Sequence, residues 1–207
     1  MLTDPTLAMQ KRKNIRPLVV AALLMSTPTF VLADFCDILA KGAAESCRVN
    51  VRGMGATVFG NWLRLKPEIA SQPSTGSKGR FVSGTTPAIG TLGVPHQGKL
   101  KLTIDCFASK RSMRIDALPY MLGLSNGANK TFDLTFKIDN RPPFTETWPL
   151  DWQHAELKAP SGSRLANELQ RSEKLVVTTQ GIVGRNSSVG YVYSTSGFDE
   201  MNAGLCK

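Results

Sequence analysis

The sequence predicts an α+β or mainly β domain, an antiparallel sheet or sandwich with two short helices, stapled by disulfides. Three observations predict it. Stretches such as TFDLTFKI (131–138) alternate apolar and polar residues, the period of a strand with one buried face. The segments run strands, helix, strands, helix, an order that points to an α+β domain or a β-sandwich with helical additions. The four cysteines, Cys36, Cys47, Cys106 and Cys206, contain no CxxC pair, so they read as two bridges rather than as a zinc ribbon or a thiol-disulfide catalyst.

In chain order, residues 1–33 read as a cleaved secretory signal peptide. They hold a basic stretch (Lys11, Arg12, Lys13, Arg16), an apolar core from Leu18 to Met25 and a small-residue exit at Val31-Leu32-Ala33. Met9, followed by Gln-Lys-Arg-Lys, is a more ordinary start than Met1. The apolar core is far shorter than the ~20 residues that cross a bilayer as a helix, so the expectation is release into the periplasm without a transmembrane anchor. Phe35 before Cys36 does not suit a lipid-anchor signal. Residues 34–207 then form a single β-rich domain, long enough to bury about 70% of the surface it would expose unfolded. The formal charge of +9 becomes +6 once the leader is removed, 21 basic residues against 15 acidic. A mild basic excess suits peptidoglycan, anionic lipid or an acidic protein. Nucleic acid is excluded as a partner for an exported chain with three Trp, three Tyr and no aromatic-basic stripe.

FCDILAKGAAESC (35–47) places Phe35, Ile38 and Leu39 at helical spacing and predicts one short, disulfide-tied helix. Residues 66–98 read as a Gly/Pro/Ser-rich loop segment that admits only short edge strands such as Arg80–Ser83. Three alternating runs follow, Leu100–Cys106, Arg111–Ala117 and Thr131–Ile138, the last after the turn residues Ser125-Asn126-Gly127. Together they predict an antiparallel meander. Ser161 or Ser163 opens a helix through Leu165, Ala166 and Leu169. KLVVTT (174–179) and VGYVY (189–193) form a hairpin across Gly181 and Gly184-Arg185-Asn186, and Phe198, Met201 and Leu205 mark a terminal helix. Of the three possible cysteine pairings, Cys36–Cys47 as a local loop and Cys106–Cys206 as a long clasp is favoured, because the clasp ties a strand to the terminal helix.

Candidate chemistry is thin. The histidines are His96 and His154; Asp151, His154 and Ser161 or Ser163 lack the G-x-S-x-G elbow of a hydrolase. Asp139 and Glu146 flank an Arg-Pro-Pro turn, where Asp139 is expected to bond the turn backbone or pair with Arg141. No H-E-x-x-H, P-loop or dinucleotide fingerprint is present, so the expectation is no enzyme, no metal and no cofactor. Trp62, Trp148 and Trp152 are read as core anchors first. The stiff Asp139–Pro143 turn holds Arg141 and Trp148 in fixed positions, which makes Arg141, Trp148 and Trp152 the candidate partner contacts.

The order LTIDC (102–106), KIDNRPP (137–143), Trp148, APSGSRLANEL (159–169), LVVTT (175–179) and SGFDEMNAGLC (196–206) resembles the periplasmic type VI secretion-associated VasI/EvfG/TagO family. Cys36 and Cys47 are similar to that family's amino-terminal cysteine pair. The resemblance lies mainly in residues 100–207; Lys137 stands where arginine is more familiar, and residues 66–98 do not align. It implies a non-enzymatic periplasmic accessory of a contractile secretion apparatus that meets a protein partner, with no cofactor. Two other functions fit the composition: an inhibitor or immunity-type binder of a cell-wall hydrolase and, more weakly, a peptidoglycan-acting enzyme.

Overall fold

The computed structural model describes residues 34–39, 42–72, 75–93, 100–116, 130–180 and 188–207. Residues 1–33, read above as a signal peptide, His96 and the turn residues at 125–127 and 181–186 lie outside these residues. Among the described residues the fold is mostly antiparallel strand, with four short helices and two disulfides.

Two helices open it, α1 (Phe35–Leu39) and α2 (Ala44–Gly53), where the sequence predicts one. Gly42 breaks them, taking a left-handed φ of 86°. The Cys36–Cys47 bridge ties the pair together, and Phe35, Cys36 and Val51 pack on Leu63 in a small core of their own.

The strands β1 (Thr57–Phe59), β2 (Trp62–Arg64), β3 (Glu68–Ser71), β4 (Lys78–Pro87), β6 (Lys101–Phe107), β7 (Lys110–Asp116) and β10 (Glu156–Lys158) make one half of the sheet. The other half comprises β8 (Thr131–Ile138), β9 (Phe144–Asp151), β11 (Lys174–Gln180), β12 (Ser188–Ser194) and β5 (Gly90–Leu92). Two strands pass from one half to the other. The first is β9, whose residues 144–149 pair with β8 while Leu150 and Asp151 pair with β10. The second is the run from β4 into β5: the Ala88 N–H reaches the Leu100 carbonyl at 2.8 Å, and the next N–H, of Ile89, reaches Val192 at 2.7 Å. The ladder therefore returns to its starting strand through β4, β6, β7, β10, β9, β8, β11, β12 and β5.

Two expectations are corrected. The described residues of the 66–98 segment are mostly strand rather than loop: they hold β3, β4 and β5. The expected short edge strand Arg80–Ser83 is the middle of the ten-residue β4, and β4 pairs with seven consecutive residues of β6. Its glycines serve packing. A Cβ on Gly84 would collide with the Met201 sulfur of the terminal helix, and one on Gly79 would press on the Phe107 ring. Pro87 is the last residue of β4, where no β2 residue pairs with it, so its missing N–H costs no ladder bond. The meander is also corrected. β6 and β7 are a hairpin, turned by Ala108 and Ser109 at φ 45° and 66°, but β7 then pairs with β10, and β8 with β9 and β11. Fourteen residues separate β7 from β8 in sequence, whereas the short Asp139–Pro143 turn folds β9 directly onto β8.

The core lies between the halves. Leu102, Ile104, Met113 and Ile115 face Phe132, Leu134, Phe136, Ile138, Leu175, Val177 and Tyr193, each side chain contributing about 1.5–3 kcal/mol on burial. Helix α3 (Leu165–Glu168) inserts Leu165 and Leu169, and α4 (Phe198–Ala203) inserts Phe198, Met201 and Leu205. The predicted strand 131–138, hairpin 174–193 and terminal helix are all present.

Candidate functional site

The Asp139–Pro143 turn and the chain after α3 meet at one corner. The Arg141 N–H donates to the Ile138 carbonyl at 2.9 Å and closes the turn, which puts Asp139 in the left-handed region at φ 47°. Asparagine and aspartate tolerate that region best, because their short side chains find local backbone donors. Asp139 does so across the corner rather than in its own turn. Its carboxylate accepts the N–H groups of Lys174 (2.9 Å) and Glu173 (3.2 Å), and its own N–H donates to the Lys174 carbonyl at 3.0 Å. It does not pair with Arg141.

Arg141 has another task. Its guanidinium donates to the carbonyls of Glu168 and Gln170, at 2.5 and 3.0 Å, and so binds the acceptors left open at the end of α3. Arg171 follows at φ 55°, its N–H donating to the Asp199 carboxylate at 3.1 Å. Two non-glycine residues in left-handed geometry, one on each side of the corner, are thus held by carboxylates and a guanidinium. Between them lies a cleft of about 650 Å³ lined by Lys137, Asp139, Asn140, Arg171, Glu173, Lys174 and Val176. Lys137 stands opposite Val176 in the β8–β11 register, so the lysine shares the outer face with Lys174. Among the described residues, Lys137, Arg171, Glu173 and Lys174 form no side-chain ion pair.

Glu146 organises the other side of α3. It points inward opposite Leu134, accepts the Trp148 Nε1–H at 2.9 Å and the Ser163 hydroxyl at 2.7 Å, and takes the Arg164 N–H at 3.0 Å. The predicted serine at the helix start is Ser163: its Oγ accepts the Leu165 N–H at 3.3 Å while its hydroxyl donates to Glu146, which in turn takes the Arg164 N–H. The Arg164 guanidinium lies over the Phe144 ring, 4.0 Å from its centroid.

The predicted contact residues fall apart under this geometry. Trp148 is corrected as a partner contact, because it is fully buried, 5.5 Å from the Phe136 ring. Trp62 is likewise core, edge-on to Phe198. Arg141 lines the base of the corner as a structural clamp. Trp152 alone of the three tryptophans is exposed, at 53%, in the β9–β10 turn. In that turn Asp151 binds His154 at 2.8 Å and Lys158 at 2.5 Å, and the lysine first, then the histidine, hold its carboxyl well below the usual carboxylate range. Ser163 gives its hydroxyl to Glu146, so Asp151, His154 and Ser163 are not assembled as a triad.

Sequence reasoning missed Arg171, Glu173 and Lys174 as cleft residues. The signal available was the polar run Arg171-Ser172-Glu173-Lys174 between an apolar helix and an apolar strand; the register that brings Lys137 to it was not legible.

No helix among the described residues is long and apolar enough to cross a membrane. No protein-family model and no curated protein matches the chain. Among solved structures, that of invasion associated protein b from Bartonella henselae aligns with a TM-score of 0.47 at 10% identity, over 72% of this chain and 93% of that one.

Proposed function

We propose that this chain is an exported, non-catalytic interaction protein that serves a type VI secretion apparatus from the periplasm by holding a protein partner. One observation supports a binding role over a chemical one: the side chains that offered chemistry are built into the scaffold. Glu146 binds Trp148, Ser163 and the start of α3, Asp139 binds the backbone of Glu173 and Lys174, and Ser163 is bonded to Glu146. The two closed disulfides suit an oxidising compartment. The assignment to a secretion apparatus rests on the sequence resemblance over residues 100–207.

Deletion of the gene tests it, read by the amount of tube protein reaching the medium. The expected result is a loss of export, restored by the wild-type chain and equally by His154→Ala. Unchanged export would overturn the secretion role, and failure of a stably folded His154→Ala chain to restore it would overturn the non-catalytic reading.

A further inference from the structure

We propose that the corner cleft between Lys137, Arg171 and Lys174 binds an acidic peptide segment of the partner. This rests on the reading of the chain as a protein-binding module, and it names the chemistry that module recognises.

The base of the cleft is fixed before any ligand arrives. Asp139, Arg141 and Asp199 hold the two left-handed residues and the end of α3 in place through carboxylate–backbone and guanidinium–carbonyl bonds. Preorganisation of this kind lowers the ordering cost of association. On that base stand three cations, Lys137, Arg171 and Lys174, each without an ion-pair partner among the described residues. Of the two carboxylates beside them, Asp139 has its oxygens bonded to two backbone N–H groups, and Glu173 has no ion pair among the described residues. Three cations against two carboxylates leave the lining at a net +1, with Glu173 as the open acceptor. A volume of about 650 Å³ lies within the roughly 300–1,000 Å³ of ligand sites.

Glu173 decides between anions. A polyanionic chain or a charged bilayer places negative charge against every part of the rim, Glu173 included, and a flat bilayer does not enter a cleft. A peptide alternates its groups: its carboxylates meet the three cations while its backbone N–H groups meet Glu173, and its carbonyls meet the Asn140 amide. Charge complementarity with one built-in acceptor therefore selects an acidic peptide.

The test is fluorescence anisotropy of the purified protein with a fluorescein-labelled peptide of alternating Glu and Ala, its Gln counterpart, and vesicles of phosphatidylglycerol. The acidic peptide is expected to bind, the Gln peptide to bind at least about tenfold more weakly, and affinity to fall as salt rises from about 50 to about 500 mM. Joint Lys137→Glu and Lys174→Glu substitution is expected to weaken binding by about tenfold or more with an unchanged unfolding midpoint. Lys110→Glu, on the β6–β7 hairpin, is expected to leave binding within about twofold. Absence of peptide binding, equal loss with Lys110→Glu, or capture by vesicles in place of peptide would each overturn the proposal. If deletion of the gene nevertheless abolishes export, the cleft assignment falls and the secretion role stands. If the peptide binds and export is unaffected, the reverse holds.

Discussion

Glu146 shows how much one side chain organises. Its carboxylate joins the buried indole two residues along its own strand to the Ser163 hydroxyl and the Arg164 N–H, so it ties β9 to the start of α3. Removing an acceptor from a buried donor leaves the donor's desolvation uncompensated, at about 1–3 kcal/mol. Glu146→Ala is therefore expected to lower stability by about 2–3 kcal/mol in urea unfolding, and Glu146→Gln, which keeps an acceptor, by less. Equal stability of Glu146→Ala and the wild type would show that water replaces the carboxylate at no cost. This residue also marks a limit of the sequence. In TFDLTFKIDNRPPFTETW the inward set Phe132, Leu134, Phe136 and Ile138 was legible from period alone. That Glu146 and Trp148 point the same way followed from the β8–β9 register, which no local pattern states.

At the level of elements, the terminal helix is held by covalent and polar ties at once. Cys206 joins α4 to β6 through Cys106, and the guanidiniums of Arg64 and Arg80 donate to the carbonyls of Met201 and Leu205. The two bridges are expected to differ in worth. Cys106–Cys206 closes a separation of 100 residues and Cys36–Cys47 one of 11, which the chain-entropy account converts to about 4–5 and about 3 kcal/mol. Replacing Cys106 and Cys206 by Ser is thus expected to lower the urea midpoint more than replacing Cys36 and Cys47, and the opposite order would refute that account here. Both pairings were legible in the sequence. Of strand β4 only Arg80–Ser83 was, because Gly79, Gly84 and Pro87 read as breakers although the glycines make room for Phe107 and Met201, and Pro87 ends the strand. A small residue that serves a distant neighbour looks, in sequence, like one that serves a turn.

For the whole molecule, pH reports on the closed core. Burial pushes the Tyr191 hydroxyl up to about 12, and it pushes Tyr193 up further, with the charges of Tyr191 and Asp116 adding to the effect. Unfolded tyrosine titrates near 10, so the folded state holds these protons more tightly. Their contribution is fully present below about pH 10 and is lost as pH rises from 10 through 12. Asp151 acts in the opposite sense: its carboxyl is depressed, so its contribution is present above about pH 4 and is lost as pH falls. The urea midpoint is expected to stay level between about pH 5 and 9 and to drop steeply toward pH 12; a level midpoint across that alkaline range would mean that the tyrosines ionise without unfolding.

The clasp between Cys106 and Cys206 also sets an order of events. A chain is made from its amino end, so Cys106 emerges 100 residues before its partner Cys206. Throughout that interval Cys36 and Cys47 are the competing thiols, and a mismatched bridge to either would trap the chain before β11, β12 and α4 exist. Early closure of Cys36–Cys47 removes both competitors. If the local bridge closes first, Cys106 and Cys206 are the two thiols left, and the long bridge then has one possible pairing.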